Sequence, residues 1–202
     1  SSAEVQLTFS AYIIAFAIGQ LLYGPVSDRF GRKPALYLGL VIYILGSVVC
    51  LAAPNIETLI LGRGVQAFGG CAGPVVIRAI LRDLFSRDEG ARLFSFIGLA
   101  MGLAPAFAPV IGGLLQVTFG WQSIFVLLTA AGGVMFVLVV LFLPESNRNP
   151  VRSAPLLAGF VSDYPRIMRS IPFIGYTINI GAAMSALFVY IAGAPFVLIT
   201  ML

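Results

Sequence analysis

Charged residues vanish from four long stretches of this chain. None occurs from Val5 to Ser27, from Pro34 to Ile56, from Leu93 to Pro144 or from Ile171 to Leu202. Each stretch reaches the roughly 18–20 apolar residues that an α-helix needs to cross a bilayer. The stretch from Leu93 to Pro144 is too long for one crossing. Its break is Thr118-Phe-Gly-Trp-Gln-Ser123, where Gly120 is a turn residue and Trp121 suits the membrane interface. A further span runs from near Glu57 to near Ile80 although it carries Arg63 and Arg78. The pattern predicts an all-α transmembrane chain with six spans, at roughly 5–26, 35–53, 57–80, 93–117, 122–143 and 172–194.

The polar segments between spans fix the orientation. After spans one, three and five come Arg29, Arg32 and Lys33, then Arg82, Arg87 and Arg92, then Arg148, Arg152, Arg166 and Arg169, which is 10 of the 12 Lys and Arg. The opposite turns, Ala53-Pro-Asn-Ile-Glu57 and Thr118 to Ser123, hold none. Basic residues collect in cytoplasmic loops, so the loops after the odd-numbered spans face the cytoplasm.

Composition agrees: 59% of residues are hydrophobic and 10% charged, against about 25% charged in soluble domains. The net charge of +4 follows from topology, and nothing calls for a nucleic acid partner. Cys50 and Cys71 lie inside spans without a Cys-x-x-Cys spacing, and the chain has no His, so no metal site, cofactor or catalytic group is expected. The start at Ser1-Ser-Ala-Glu4 and the end at Thr200-Met-Leu202 lead us to expect a fragment of a longer protein. Residues 145–171, with Pro150, Pro155 and Pro165, read as a cytoplasmic linker between a bundle at 1–144 and a further span at 172–202. Leu156 to Phe160 and Tyr164 to Met168 are suited either to a short interfacial helix or to a plain tether.

Four features go beyond membrane insertion. Gly98, Gly102, Pro105, Pro109 and Gly112 recur along one helical face, which should press against another helix and bend, whether as a packing seam or as a moving part. Arg63 lies inside a span with Gln66, Gly70 and Pro74 on its face. A cation there costs at least about 2.5 kcal/mol unless it faces protein or water, so function is favoured over snorkelling. Tyr176 and Asn179 share a side of the last span, as substrate-cavity candidates or as helix-to-helix hydrogen-bonding groups. The segment YGPVSDRFGRKP, Tyr23 to Pro34, goes beyond a basic anchor: Gly24-Pro25 is expected to end a helix, Asp28 to pair with an Arg or a helix N-terminus, and Gly31 to permit a tight turn before Arg32 and Lys33. The pair Phe30-Gly31 recurs as Phe119-Gly120 on the opposite side of the membrane, as inverted repeats would have it.

Gly24-Pro-Val-Ser-Asp28-Arg-Phe-Gly31-Arg-Lys33 resembles the loop signature of the major facilitator superfamily between its second and third helices. Leu61-Gly-Arg63-Gly-Val-Gln66-Ala-Phe-Gly69 resembles the fourth-helix motif of its proton-coupled members. Ala108-Pro109-Val-Ile-Gly112-Gly113 resembles the fifth-helix antiporter motif, and Leu143-Pro-Glu145-Ser the end of the sixth helix. With Ser10 to Gln20 and Ala192-Gly-Ala-Pro-Phe196, the chain is similar throughout to the Bcr/CflA branch of drug:proton antiporters, the bicyclomycin and chloramphenicol exporters. The resemblance implies that the spans are helices two to seven of twelve, an inverted-repeat N-terminal half lacking its first helix, then the first helix of the C-terminal half. It implies a multi-pass protein of the bacterial inner membrane, not an enzyme, that exports small amphipathic, drug-like compounds in exchange for protons and needs the remainder of the transporter as its partner.

By the same resemblance Gly24, Asp28, Arg29, Gly31, Arg32 and Lys33 form a cytoplasmic gate latch docking on the opposite half. Arg63 and Gln66 serve proton coupling or the cavity, and Gly98, Gly102, Pro105, Pro109, Gly112 and Gly113 make the antiporter face. Two positions depart from the pattern: Ala104 and Ala108 stand where the motif usually has Gly, which leaves open a metabolite exporter or symporter. A truncated, non-transporting membrane protein is the alternative outside transport.

Overall fold

The computed structural model describes residues 2–147, 165 and 167–200; at 2, 3, 5, 187, 188 and 190–200 it describes the backbone alone. The described residues form seven helices: α1 (Ser2–Phe30), α2 (Arg32–Leu51), α3 (Ile56–Gly70), α4 (Ala72–Leu84), α5 (Arg87–Phe119), α6 (Gln122–Phe142) and α7 (Ile171–Thr200). The chain divides into two compact units, Ser1–Ser153 and Ala154–Leu202. Residues 156–160, where an interfacial helix or tether was expected, lie outside the described residues.

Among the described residues five spans are long and apolar enough to cross a membrane: Gln6–Phe30, Arg32–Leu51, Ile56–Leu84, Arg87–Phe119 and Gln122–Phe142. The fold is an all-α membrane bundle in the first unit; the second unit contains α7, a 30-residue helix whose Ile171–Ala186 portion is apolar. The third span contains both α3 and α4. Pro74 lacks the N–H that would bond the Gly70 carbonyl and its ring crowds that carbonyl. Cys71 nevertheless keeps right-handed helical angles, so one span runs through the interruption.

Two helix boundaries correct the sequence expectations. Gly24-Pro25 does not end α1, which continues to Phe30 with Pro25 inside it. Pro25 lacks the N–H that would bond the Leu21 carbonyl, yet the helix runs on through it; two residues later the Ser27 hydroxyl donates to the Gly24 carbonyl at 2.9 Å. The terminator is Gly31, whose φ of 106° is closed to side-chain-bearing residues. Likewise α5 begins at Arg87, ahead of the apolar run, because Ser86 and Glu89 form a reciprocal capping box. Arg82 and Arg87 therefore stand on helices, with only Phe85 and Ser86 between α4 and α5.

The Phe-Gly echo has a structural counterpart. α1 and α5 each end on Phe, followed by glycines with φ/ψ of 106°/158° and 83°/167°, the two positive-φ residues among those described. The helices that follow, α2 and α6, pack against each other, Gly132 of α6 lying against Tyr43 and Ile44 of α2.

The centre of the first unit is the contact of α2 with α3, α4 and α1. Tyr23, Ala35, Leu36, Cys71, Ala72, Val76 and Ile80 form its buried core. Between α2 and α3 the approach is backbone to backbone. A Cβ on Gly46 would strike the Gln66 backbone, and one on Gly69 would strike the backbone of Gly39, Ile42 and Tyr43. Gly39 and Gly46 are seven residues apart, as are Gly62 and Gly69, which puts each pair on one helical face. Without a hydrophobic drive between helices in lipid, such close contact supplies the attraction.

Candidate functional site

Arg63 projects from the middle of α3, where the sequence forces a cation into an apolar helix. The fold gives it two partners. Its guanidinium lies 4.3 Å from the ring centroid of Tyr12 on α1, and its Nη1 donates to Gln66 Oε1 at 2.6 Å. Gln66 is fully buried, and its Nε2 donates to Ser47 Oγ on α2 at 2.8 Å. Ser47 in turn donates to the Tyr43 carbonyl at 2.8 Å. Arg63, Gln66 and Ser47 are thus linked one to the next, as burial of polar side chains in a low-dielectric interior favours. The cation–π contact and the charge-assisted hydrogen bond are each worth about 1–3 kcal/mol. Snorkelling is thus not how Arg63 is accommodated. The sequence pointed to Arg63 and Gln66; it gave no sign of Tyr12 or Ser47, which reach them from other helices.

A second polar cluster closes the end of the bundle where YGPVSDRFGRKP lies. Arg32 is 4% exposed and bonds three ways: Nε to Asp83 Oδ2 at 2.9 Å, Nη1 to Ser27 Oγ at 2.9 Å, and Nη1 to Asp28 Oδ1. Asp28 thus pairs with an Arg as expected, while its side chain stays 54% exposed. Asp83 stands on the last turn of α4.

Glu145, just beyond α6, accepts the backbone N–H of Arg32 at 2.9 Å on one oxygen and that of Lys33 at 3.0 Å on the other. It thereby caps α2, whose first N–H groups have no intrahelical acceptor, with a full negative charge at the positive end of the helix dipole. Partial burial pushes its carboxyl up, but donation from the backbone N–H groups of Asn147, Arg32, Lys33 and Ser146 outweighs this and holds it below its ordinary value. Lys33 Nζ donates to the Val140 carbonyl at 3.0 Å, and Asn147 Nδ2 donates to the Asp28 carbonyl at 3.0 Å. Gly31 fits beside Glu145 only because it lacks a Cβ, which would lie 2.7 Å from Glu145 Oε2. Arg29 stacks on Phe30 at 5.4 Å, and a Cβ on Gly24 would meet nothing within 4 Å. The loop is already anchored inside its own unit, by α4 and by the segment after α6.

The Gly/Pro face is placed differently from expectation. None of Gly98, Gly102, Gly112 and Gly113 has another atom within 4 Å of where its Cβ would stand, Pro105 and Pro109 are exposed, and α5 has no buried residue. Within the first unit no described helix presses on this face; the pressed glycine seam is that of α2 and α3. Tyr176 and Asn179 lie one turn apart on α7 in the second unit, both exposed within it. Among the described residues no group of His, Cys, Asp and Glu is arranged to hold a metal.

The sequence profile of the Major Facilitator Superfamily matches residues 1–202. An uncharacterized transporter of the major facilitator type from Bacillus subtilis is 35% identical over 199 residues, covering 98% of this chain and 50% of the relative. The bicyclomycin resistance protein homolog of Haemophilus influenzae is 32% identical over 199 residues, with the same coverage. Multidrug resistance protein D of Escherichia coli is 33% identical over 157 residues, 77% of this chain and 40% of the relative. The chain spans about half the length of the curated relatives it matches over its whole extent. With its membrane-spanning helices and a profile match from end to end, the chain belongs to the major facilitator superfamily, a family of multi-pass membrane transporters.

Proposed function

We propose that the chain is part of a proton-coupled multidrug efflux transporter, a secondary active antiporter that exports small amphipathic compounds across the bacterial inner membrane by alternating access. In this reading residues 1–144 supply most of one transmembrane half, 145–171 the cytoplasmic linker and 172–202 the first helix of the other half. The additional length seen in the relatives supplies the rest. The names of the Haemophilus and Escherichia relatives support the substrate class.

The observation that carries the proposal is the held cation. A guanidinium keeps its charge at any physiological pH, and Tyr12 and Gln66 fix it inside a span. There it lowers the proton affinity of any nearby acid and disfavours a second cation, which is what exchange of a proton for a drug requires. Glu57, Asp28 and Asp83 all stand at helix ends, so the proton-carrying acid belongs to the rest of the transporter. Tyr176 and Asn179 contribute aromatic and polar contacts for substrate, the loop from Gly24 to Lys33 acts as the cytoplasmic gate, and the open α5 face receives the opposite half.

The test is proton-driven transport of a fluorescent drug in inverted vesicles carrying the full-length transporter. Coupled transport is expected in the native protein and a loss of at least about tenfold in Arg63→Ala, an interaction worth 1.4 kcal/mol or more. Undiminished coupling in Arg63→Ala removes the role given to Arg63. Absence of gradient-driven movement for every drug tried in the native protein removes the multidrug reading itself.

A further inference from the structure

At the cytoplasmic end of the bundle α4 and α5 diverge around a cavity of about 430 Å³ whose wall includes Arg78, Arg82, Arg87, Leu81, Phe85 and Phe94. We propose that this cavity binds the headgroup phosphate of an acidic phospholipid of the inner leaflet. The proposal is independent of what the transporter carries.

Three arginines face one small volume, and no acidic side chain lines it. Arg78 and Arg82 stand four residues apart on α4, a like-charge arrangement that costs helix stability unless an anion lies between or beside them. Among the described residues no carboxylate pairs with Arg78, Arg82 or Arg87: Asp83 is taken by Arg32, and Glu89 accepts from the Ser86 backbone and hydroxyl. Arg78 and Arg82 also edge a smaller cleft beside Asp28, but Asp28 is held by Arg32.

Depth and chemistry select a lipid. The distribution of basic residues puts this end of α4 at the cytoplasmic membrane surface, where anionic headgroups gather. The rest of the wall is apolar, with Phe85 42% and Phe94 40% exposed. Such a site offers guanidinium forks to a phosphate and hydrocarbon contact to the glycerol and upper acyl chain. A small soluble anion would leave the aromatic wall unused.

The proposal is tested by native mass spectrometry of the full chain in detergent, titrated separately with phosphatidylglycerol, phosphatidylcholine and inorganic phosphate. Phosphatidylglycerol should bind at least about tenfold more tightly than phosphatidylcholine, and weaken about fivefold for each of Arg78→Gln, Arg82→Gln and Arg87→Gln. Arg82→Lys should retain most of the binding, as should Arg92→Gln, whose side chain does not line the cavity. Circular dichroism selects the variants that keep native helicity. Four results overturn the proposal: equal binding of the two lipids, indifference to the three substitutions, an equal loss in Arg92→Gln, or displacement of phosphatidylglycerol by equimolar inorganic phosphate. The last would make the site one for free phosphate.

Discussion

Replacing Gly69 by Ala adds a single methyl group where the structure has no room for it. Its Cβ would stand 2.5 Å from the Gly39 carbonyl oxygen and 2.8 Å from the Ile42 carbonyl carbon, and closer still to the Tyr43 nitrogen. These are backbone atoms of α2 and cannot swing aside, so α3 has to retreat by about 1 Å to restore ordinary contact. A gap of that size forfeits a quarter to a half of each dispersion contact it opens, and overpacking of this kind typically costs about 1–3 kcal/mol. The retreat also stretches the 2.8 Å bond from Gln66 to Ser47, adding about 1 kcal/mol. The sum is about 2–4 kcal/mol, or roughly 5–15 °C in melting temperature for a chain of this size. Gly64→Ala in the same helix is the matched control, because its Cβ would meet nothing within 4 Å. There the gain in helix propensity should stabilise by about 0.5–1 kcal/mol. Thermal melts of the two variants in one detergent check the reasoning, and equal shifts would refute it.

Three further outcomes are expected. Arg32→Ala should destabilise by about 2–3 kcal/mol, below the usual cost of breaking a buried pair because Asp28 is half exposed; in a thermal double-mutant cycle Asp83→Asn should add little once Arg32 is gone. Glu145, whose value is depressed from the ordinary 4.5, contributes stability that is present above that value and is lost as pH falls through its lowered one. The stabilities of native protein and Glu145→Gln, read from thermal melts, should therefore differ at neutral pH by about 1 kcal/mol for this exposed carboxylate and converge in acid. Gln66→Leu keeps the volume but strips Arg63 of its acceptor and Ser47 of a donor, so it should impair coupled transport nearly as much as Arg63→Ala while Arg63 is still in place.

The membrane spans were legible because lipid imposes one rule on every residue, and hydropathy reports it directly. Breaks at Thr118 to Ser123 and at Gly31 were legible for a related reason, since only particular residues permit the backbone angles used there. Long-range partners were not. Arg32 meets Asp83 and Glu145 across 51 and 113 residues, and no local period marks such pairs. The sequence reading found the Gly/Pro face of α5, where Gly98, Gly102, Pro105, Pro109 and Gly112 recur in one helix, and overlooked the contact of α2 with α3. There each helix contributes its glycines seven residues apart, and the pattern emerges only when the two helices are set side by side. The end of α1 was misplaced because proline was weighed as a terminator, whereas a membrane helix can carry one in its interior.

Arg63 stands seven residues along α3, about 10 Å from its start, and is clamped by groups on α1 and α3. A permanent charge fixed at that depth feels the membrane voltage. If the helices that hold it move as a block through one tenth of the field, a potential of 100 mV does about 0.2 kcal/mol of work on it. If the transporter alternates between inward- and outward-facing states as proposed, the balance between them then carries an electrical component set by Arg63.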